Sequence, residues 1–350
     1  MKTSVFGKFK FRSFGTLSLL ILLLGFGGLI FLTKPSPIMK KGMSSFDIPV
    51  EILRSKDYLR FGDYARKNGA KGAYEALKSY FKNNEPEAHD FAHVVGNVAV
   101  ELNDIDGIKI CDNFYNYGCY HGFMQIYLQK HGLEAVVDME RSCNSLGAVN
   151  APSCLHGIGH GLMMEAYYDL SAALKNCGLL EVASRTYCYD GVFMERIAGS
   201  MLPAEKKLVI SFDNLLEPCK TMAKMYMREC WRNQVAVWFS FFSGDSYKVG
   251  SYCASLSQDY WQICFESIGL LNVQNYGDDL NRLIKSCEIV NSRGHDFCLT
   301  GEVKELLFEG KIPEKARSLC FYVTFDFRKS CFDTYEQMFA EYKVRFGLLN

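Results

Sequence analysis

Apolar residues recur at helical spacing through most of the chain beyond residue 70. Seven such stretches open on a cysteine: "CYHGFMQIYLQKHG", "CLHGIGHGLMMEAYYD", "CYDGVFMERIAGSML", "CWRNQVAVWFSFFSG", "CFESIGLLNVQNYG", "CLTGEVKELLFEG" and "CFDTYEQMFAEYKVRFG". Apolar side chains three and four residues apart fall on one side of a helix, so each stretch predicts a helix with a buried face. Several run into a glycine, at Gly132, Gly244, Gly277 and Gly310, as expected where a helix ends in a left-handed cap. Shorter helical stretches precede them and close on another cysteine, as in "LNRLIKSC" and "PEKARSLC". The pattern predicts a repeated unit of helix A, a turn of about ten residues, and helix B.

The N-terminal pattern is different. Residues 13–33, "SFGTLSLLILLLGFGGLIFLT", carry no charge, and Lys2, Lys8, Lys10 and Arg12 precede them. A helix of that length spans roughly 30 Å of hydrocarbon. The basic flank predicts a cytoplasmic tail at 1–12, a transmembrane signal anchor at 13–33, and a translocated remainder. A cleaved signal peptide is the competing reading, but no alanine precedes Ala65 to form an A-x-A-like cleavage site. Residues 34–70 then read as a linker and first helical segment, and 71–345 as the repeat domain.

The fourteen cysteines fall into seven ordered pairs. These are Cys111 with Cys119, Cys143 with Cys154, Cys177 with Cys188, Cys219 with Cys230, Cys253 with Cys264, Cys287 with Cys298, and Cys320 with Cys331. Six pairs are C-x10-C and the first is C-x7-C. An even count at regular spacing behind a membrane-crossing segment reads as a disulfide framework. Each bridge would staple the end of helix A to the start of helix B, stabilising the hairpin by roughly 2–3 kcal/mol. Pairing between repeats is an open alternative, and reduced zinc-binding thiols are a weaker one, since paired zinc ligands sit two to four residues apart. Successive second cysteines lie 35, 34, 42, 34, 34 and 33 residues apart. A fixed period of this length marks a helical repeat. The long step contains "SMLPAEKKLVISFDN", an expected insertion around residues 200–214.

Period and helix-pair layout resemble the α-solenoid families, loosely the Sel-one-like and tetratricopeptide repeats with cysteine-stapled helix pairs, with a local likeness at "AYEALKSYF", residues 73–81. The resemblance covers roughly residues 70–345. It implies an all-α, right-handed solenoid of seven to eight helix pairs, and it transfers no functional residue.

Charge narrows the partners. Lys+Arg and Asp+Glu both number 39, which argues against nucleic acid, whose binding needs a dense basic surface. No nucleophile elbow, Walker loop or dinucleotide fingerprint occurs. The compartment that fits is outside the cytoplasm, in periplasm, extracellular space or secretory lumen, with the membrane reached through the N-terminal helix.

The histidines carry the candidate chemistry. Two residues after each second cysteine the series runs His121, His156, Asp190, Arg232, Glu266, Thr300, Asp333. His160 follows His156 by four, and the upstream stretch "EAHDFAHVVGNVAVEL" holds His89 and His93 at the same spacing, like an unstapled helix B. Read this way, His89 aligns with His156 and His93 with His160. Histidines four apart share a helix face and form a chelating pair. His89, His93, His121, His156, His160 and Asp190 are therefore the candidate ligands of a divalent metal, Zn, Fe or Mn, with Glu165 and Glu195 as candidate general bases of a metal-dependent hydrolase or oxygenase. The alternatives are histidines that serve packing alone, a metal-free polar groove, and a non-catalytic scaffold that binds a protein or glycan on its concave face. Purely structural histidines should recur in every repeat, yet helix B has none from residue 230 onward. His131 and His295 fall in inter-helix turns and are expected to be exposed.

Overall fold

Short and long helices alternate along the computed structural model, which describes residues 48–81, 87–199, 214–288, 294–308 and 312–345. The described residues contain sixteen α-helices and no strand. They are α1 (Val50–Arg54), α2 (Tyr58–Asn68), α3 (Ala70–Tyr80), α4 (Glu87–Asn103), α5 (Gly118–His131), α6 (Val136–Asn144), α7 (Gly147–Glu165) and α8 (Leu170–Asn176). There follow α9 (Val182–Gly199), α10 (Lys224–Phe241), α11 (Ser246–Ser255), α12 (Trp261–Tyr276), α13 (Leu280–Glu288), α14 (His295–Phe308), α15 (Pro313–Leu319) and α16 (Phe325–Arg345). Together they belong to one compact unit, Ser44–Asn350. The proposed membrane segment 13–33 and most of the insertion at 200–214 lie outside the described residues. Within them, no helix is long and apolar enough to cross a membrane.

All fourteen cysteines are bridged, each to its neighbour in sequence. Cys111 joins Cys119, Cys143 joins Cys154, Cys177 joins Cys188 and Cys219 joins Cys230. Cys253 joins Cys264, Cys287 joins Cys298 and Cys320 joins Cys331. Their Cα–Cα distances are 5.3–5.9 Å. The expected position of the second cysteine, at the start of helix B, holds only for Cys119 in α5. Helix α7 already begins at Gly147, well before Cys154, and α9 begins at Val182, before Cys188. Likewise Cys230 follows the start of α10 at Lys224, and Cys264 follows the start of α12 at Trp261. Cys298 sits inside α14, which begins at His295, and Cys331 inside α16, which begins at Phe325. These cysteines therefore anchor the helix from within, and the turns between A and B are shorter than ten residues. The physical reason for the difference shows in α7, whose first turn, "GAVN", is exposed or half-buried and carries no apolar period. Hydrophobic spacing alone cannot reveal such a turn.

Aspartates start several A helices. The side chains of Asp169 and Asp245 accept from the backbone N–H of Ala172 and Lys248, and Asp279 accepts from Arg282. Each such cap stabilises a helix start by about 1 kcal/mol. At the other end of helix B, Gly277 closes α12 at φ 63°, a conformation that penalises any side chain.

The B helices pack in a row, α4 on α5, then α7, α9, α10, α12, α14 and α16, with the A helices set against them. The row also returns on itself. Helix α16 touches α7, and the rings of Tyr117 and Phe308 meet at 5.3 Å. Trp238, Phe91, Phe123, Phe193 and Phe265 fill the core between the layers.

Three neighbouring B pairs share one close-packing device. In α7 and α9, a methyl on Gly159 would strike the carbonyl oxygen of Cys188, and one on Gly191 the carbonyl oxygen of His156. The same reciprocal contacts join Gly96 to Cys119 and Gly122 to His93 in α4 and α5, and Gly269 to Cys298 and Gly301 to Glu266 in α12 and α14. Two backbones approach this closely only where no Cβ stands between them, which is why glycine interrupts otherwise good helices.

Candidate metal centre

Close packing of α4, α5 and α7 brings five imidazoles together. His89 and His93 come from α4, His121 from α5, and His156 and His160 from α7. Their ligand atoms form two triads, His89–His93–His121 and His121–His156–His160, each with all its atoms within 4.8 Å of one another. His121, His156 and His160 are only 4–6% exposed, while His89 and His93 are half-buried.

The glycine contacts define the register of these helices. Gly122 faces the carbonyl of His93 as Gly191 faces that of His156 and Gly301 that of Glu266. His93 is thus the counterpart of His156, and His89 lies one turn earlier, whereas sequence alignment placed His89 opposite His156. Helix α4 has no cysteine to anchor the alignment, so only its packing reveals the offset.

The second triad is held by carboxylates. His156 Nδ1 lies 3.0 Å from Asp190 Oδ2, and His160 Nδ1 lies 2.8 Å from Glu195 Oε2. Asn233 donates to the other oxygen of Asp190 at 2.8 Å, and Tyr168 OH donates to the other oxygen of Glu195 at 2.9 Å. Arg232 sits 3.6 Å from Asp190. Burial pushes Asp190 up, but Arg232, His156 and Asn233 together hold its carboxyl well below the usual carboxylate range. Carboxylates only accept, so Nδ1–H of each ring is the donor and each neutral ring leaves its Nε2 bare. Those two Nε2 atoms face each other at 2.9 Å. Opposed lone pairs at that distance repel unless a cation, a proton or a metal ion, lies between them.

The first triad is satisfied differently. His89 Nδ1 donates to the carbonyl of Tyr115 at 2.7 Å, leaving Nε2 to accept from His93 Nε2–H at 3.0 Å. Between the triads, His121 stacks on His160 at 4.0 Å, and its Nε2 is buried without a hydrogen-bond partner. Burial is the first cause that lowers the basicity of His93, His121 and His160. His93 is pushed down to about 3, with the charges of His89 and His160 adding to burial. For His160 the Glu195 contact works in the opposite direction.

The acids therefore occupy different places. Asp190 and Glu195 stand behind the rings and orient them, on the side away from the paired Nε2 atoms. Glu165 is the last residue of α7, half-buried, and belongs to neither triad. His131 ends α5 and bonds Asp104 at 2.9 Å, and His295 begins α14 with an 18% exposed side chain. A third cluster, Cys287, Cys298 and Glu302, has both sulfurs in a disulfide and so offers no thiolate.

Sequence reasoning missed the turn that closes over the first triad. Tyr115, Asn116 and Tyr117 are consecutive left-handed residues, at φ 55°, 48° and 62°. Left-handed tyrosines cost about 1–2 kcal/mol each. The turn supplies the Tyr115 carbonyl to His89 and sets the Tyr117 ring 5.8 Å from His156. It lies inside the Cys111–Cys119 loop, the one pair whose spacing departs from the other six. That short spacing was the available signal.

Comparison of the chain with protein-family models, curated proteins and solved structures finds no match.

Proposed function

We propose that this protein is a membrane-anchored, extracytoplasmic α-solenoid whose N-terminal repeats bind a divalent transition metal. The observation that carries this reading is the pair of facing Nε2 atoms on His156 and His160, 2.9 Å apart, with each Nδ1 donated to a carboxylate. A ring nitrogen held by a carboxylate behind it is how metal-ligating histidines are oriented and made more basic. The unpartnered Nε2 of His121 supplies a third donor. With Asp190 and Glu195 engaged by Nδ1 atoms, the donor set is imidazole alone, which suits zinc, then iron, and suits manganese least. Three histidines leave zinc a fourth position, the arrangement of catalytic rather than closed structural sites. Hydrolysis is the reaction class that fits, with oxygenase chemistry as the iron counterpart. Seven disulfides support an oxidising compartment, and the uncharged segment 13–33 supports the anchor.

Metal analysis of the purified, oxidised protein tests this. At least one zinc per chain should survive dialysis, and His156→Ala with His160→Ala should lower the bound zinc by one ion per chain while helicity is retained. Sub-stoichiometric metal, unchanged in the double variant, overturns the reading. The scaffold alternative draws on Phe321, Tyr322 and Phe325, 55%, 53% and 82% exposed at the last repeat, as a surface for a protein or glycan partner. It leaves the histidines unexplained.

A further inference from the structure

We infer that the histidine cluster is a two-metal centre in which His121 is shared between the ions; this rests on the metal-binding reading above and specifies it. The five ligand atoms form two triads, not one set of five. Zinc holds nitrogen at about 2.0–2.1 Å, so two donors on one ion lie at most about 4.2 Å apart. One ion therefore cannot gather all five nitrogens. Each end, however, has its own pair at chelating distance: His89 and His93 Nε2 at 3.0 Å, and His156 and His160 Nε2 at 2.9 Å.

The surroundings repeat this division. His89 is oriented by the Tyr115 carbonyl, and His156 and His160 by Asp190 and Glu195, each leaving Nε2 directed at its pair partner. Helix α5 lies between α4 and α7. The ring of His121 is 5.4 Å from both His89 and His93, and 5.8 and 4.0 Å from His156 and His160. An imidazole that loses its N–H proton has a lone pair on each nitrogen and holds one cation on either side.

The balance is explicit. Two divalent ions enter, His121 releases one proton to solvent, and the His93 hydrogen moves from Nε2 to Nδ1. Four positive charges on the ions, with the Arg232 guanidinium beside Asp190 as a fifth, then face three negative ones: the His121 imidazolate, Asp190 and Glu195. Both carboxylates stand at the second triad, so that site should fill first and hold its ion more tightly.

Titration of the full oxidised chain with zinc, followed by elemental analysis, should give two ions per chain in two steps. His89→Ala with His93→Ala should keep one ion at the tighter site. Copper(II) gives a readout independent of folding variants. Loaded wild-type protein should show a low-temperature EPR signal well below two isolated spins, because an imidazolate bridge couples them. His121→Gln should remove that coupling. One ion per chain in the wild type, or two ions with full uncoupled signal, overturns the shared centre and leaves the metal reading standing. No ion at all overturns both.

Discussion

Helix pairs α7/α9 and α12/α14 are built alike and used differently. Gly159 with Gly191, and Gly269 with Gly301, make the same reciprocal backbone contacts. In α12/α14 the column residue Glu266 is met by Lys304 at 2.8 Å and by Gln262 at 3.0 Å. That pair brings its own cation, an ammonium reaching from the neighbouring helix. In α7/α9 the column residue is His156, its partner is the carboxylate of Asp190, and bare nitrogens face each other instead. The packing device is therefore indifferent to chemistry, and only the histidine version calls for a cation from outside.

The largest loss of stability should come from attacking the shared device. Gly191→Ala and Gly301→Ala each place a methyl on a partner carbonyl, and the backbones must separate. Alanine recovers about 1 kcal/mol of helix propensity, but overpacking costs about 1–3 kcal/mol, and because the contact is with rigid backbone the upper end applies, for a net loss of about 2 kcal/mol. Urea denaturation should show similar losses in both variants. Widely unequal losses would break the equivalence of the two pairs.

A second test uses a group that only α12/α14 possesses. Glu302 is fully buried, with Oε1 near Asn272 and Ser286 and Oε2 unpartnered, where α9 has Val192. Burial pushes Glu302 up to about 8, against the smaller opposing pull of Asn272 and Ser286. The folded state then holds a proton that the unfolded state has released, so stability falls as pH rises from the ordinary glutamate range to about 8 and is level above it. Glu302→Gln should remove that slope. Its gain over the wild type should be absent near pH 4 and reach at most on the order of 5 kcal/mol at pH 9, at 1.36 kcal/mol per unit. Parallel pH profiles for the two proteins would show that Glu302 is not the buried acid responsible.

The smallest effect is expected from Lys304→Met. It strips Glu266 of its cation and leaves a largely buried carboxylate under-satisfied, for a loss of about 1 kcal/mol because the lysine is partly exposed. If α12/α14 does supply its own cation, Lys304→Arg, which keeps the charge, should lose less than Lys304→Met. Thermal denaturation of the two variants measures the difference.

Much of this was legible in advance. The seven ordered cysteine pairs were legible from spacing, while pairing between repeats stayed open until the structure joined each pair at Cα distances under 6 Å. The identity of the five clustered histidines also followed, since helical spacing puts them on faces that stacked helices share. Three things did not follow. The B helices begin ahead of Cys154, Cys188, Cys230, Cys264, Cys298 and Cys331, and a first turn without a buried face, such as that of α7, left no apolar period. The register of α4 is decided by its Gly96 against the carbonyl of Cys119 and by Gly122 of α5 against the carbonyl of His93. The work of Asp190 and Glu195, to orient rings from behind, depends on which nitrogen each one meets.

What the chain determines by itself is local and periodic: where helices recur, how the cysteines are spaced along them, and which residues share a face. Those properties depend on neighbours within a few turns. Tertiary structure alone decides which faces meet and at what depth, because the approach of two backbones is set by glycines that contact another helix. The step from five histidines in a sequence to two triads around His121 is of that second kind. The left-handed turn at Tyr115–Tyr117 belongs there too, since its strain is sustained only by the packing and the staple around it.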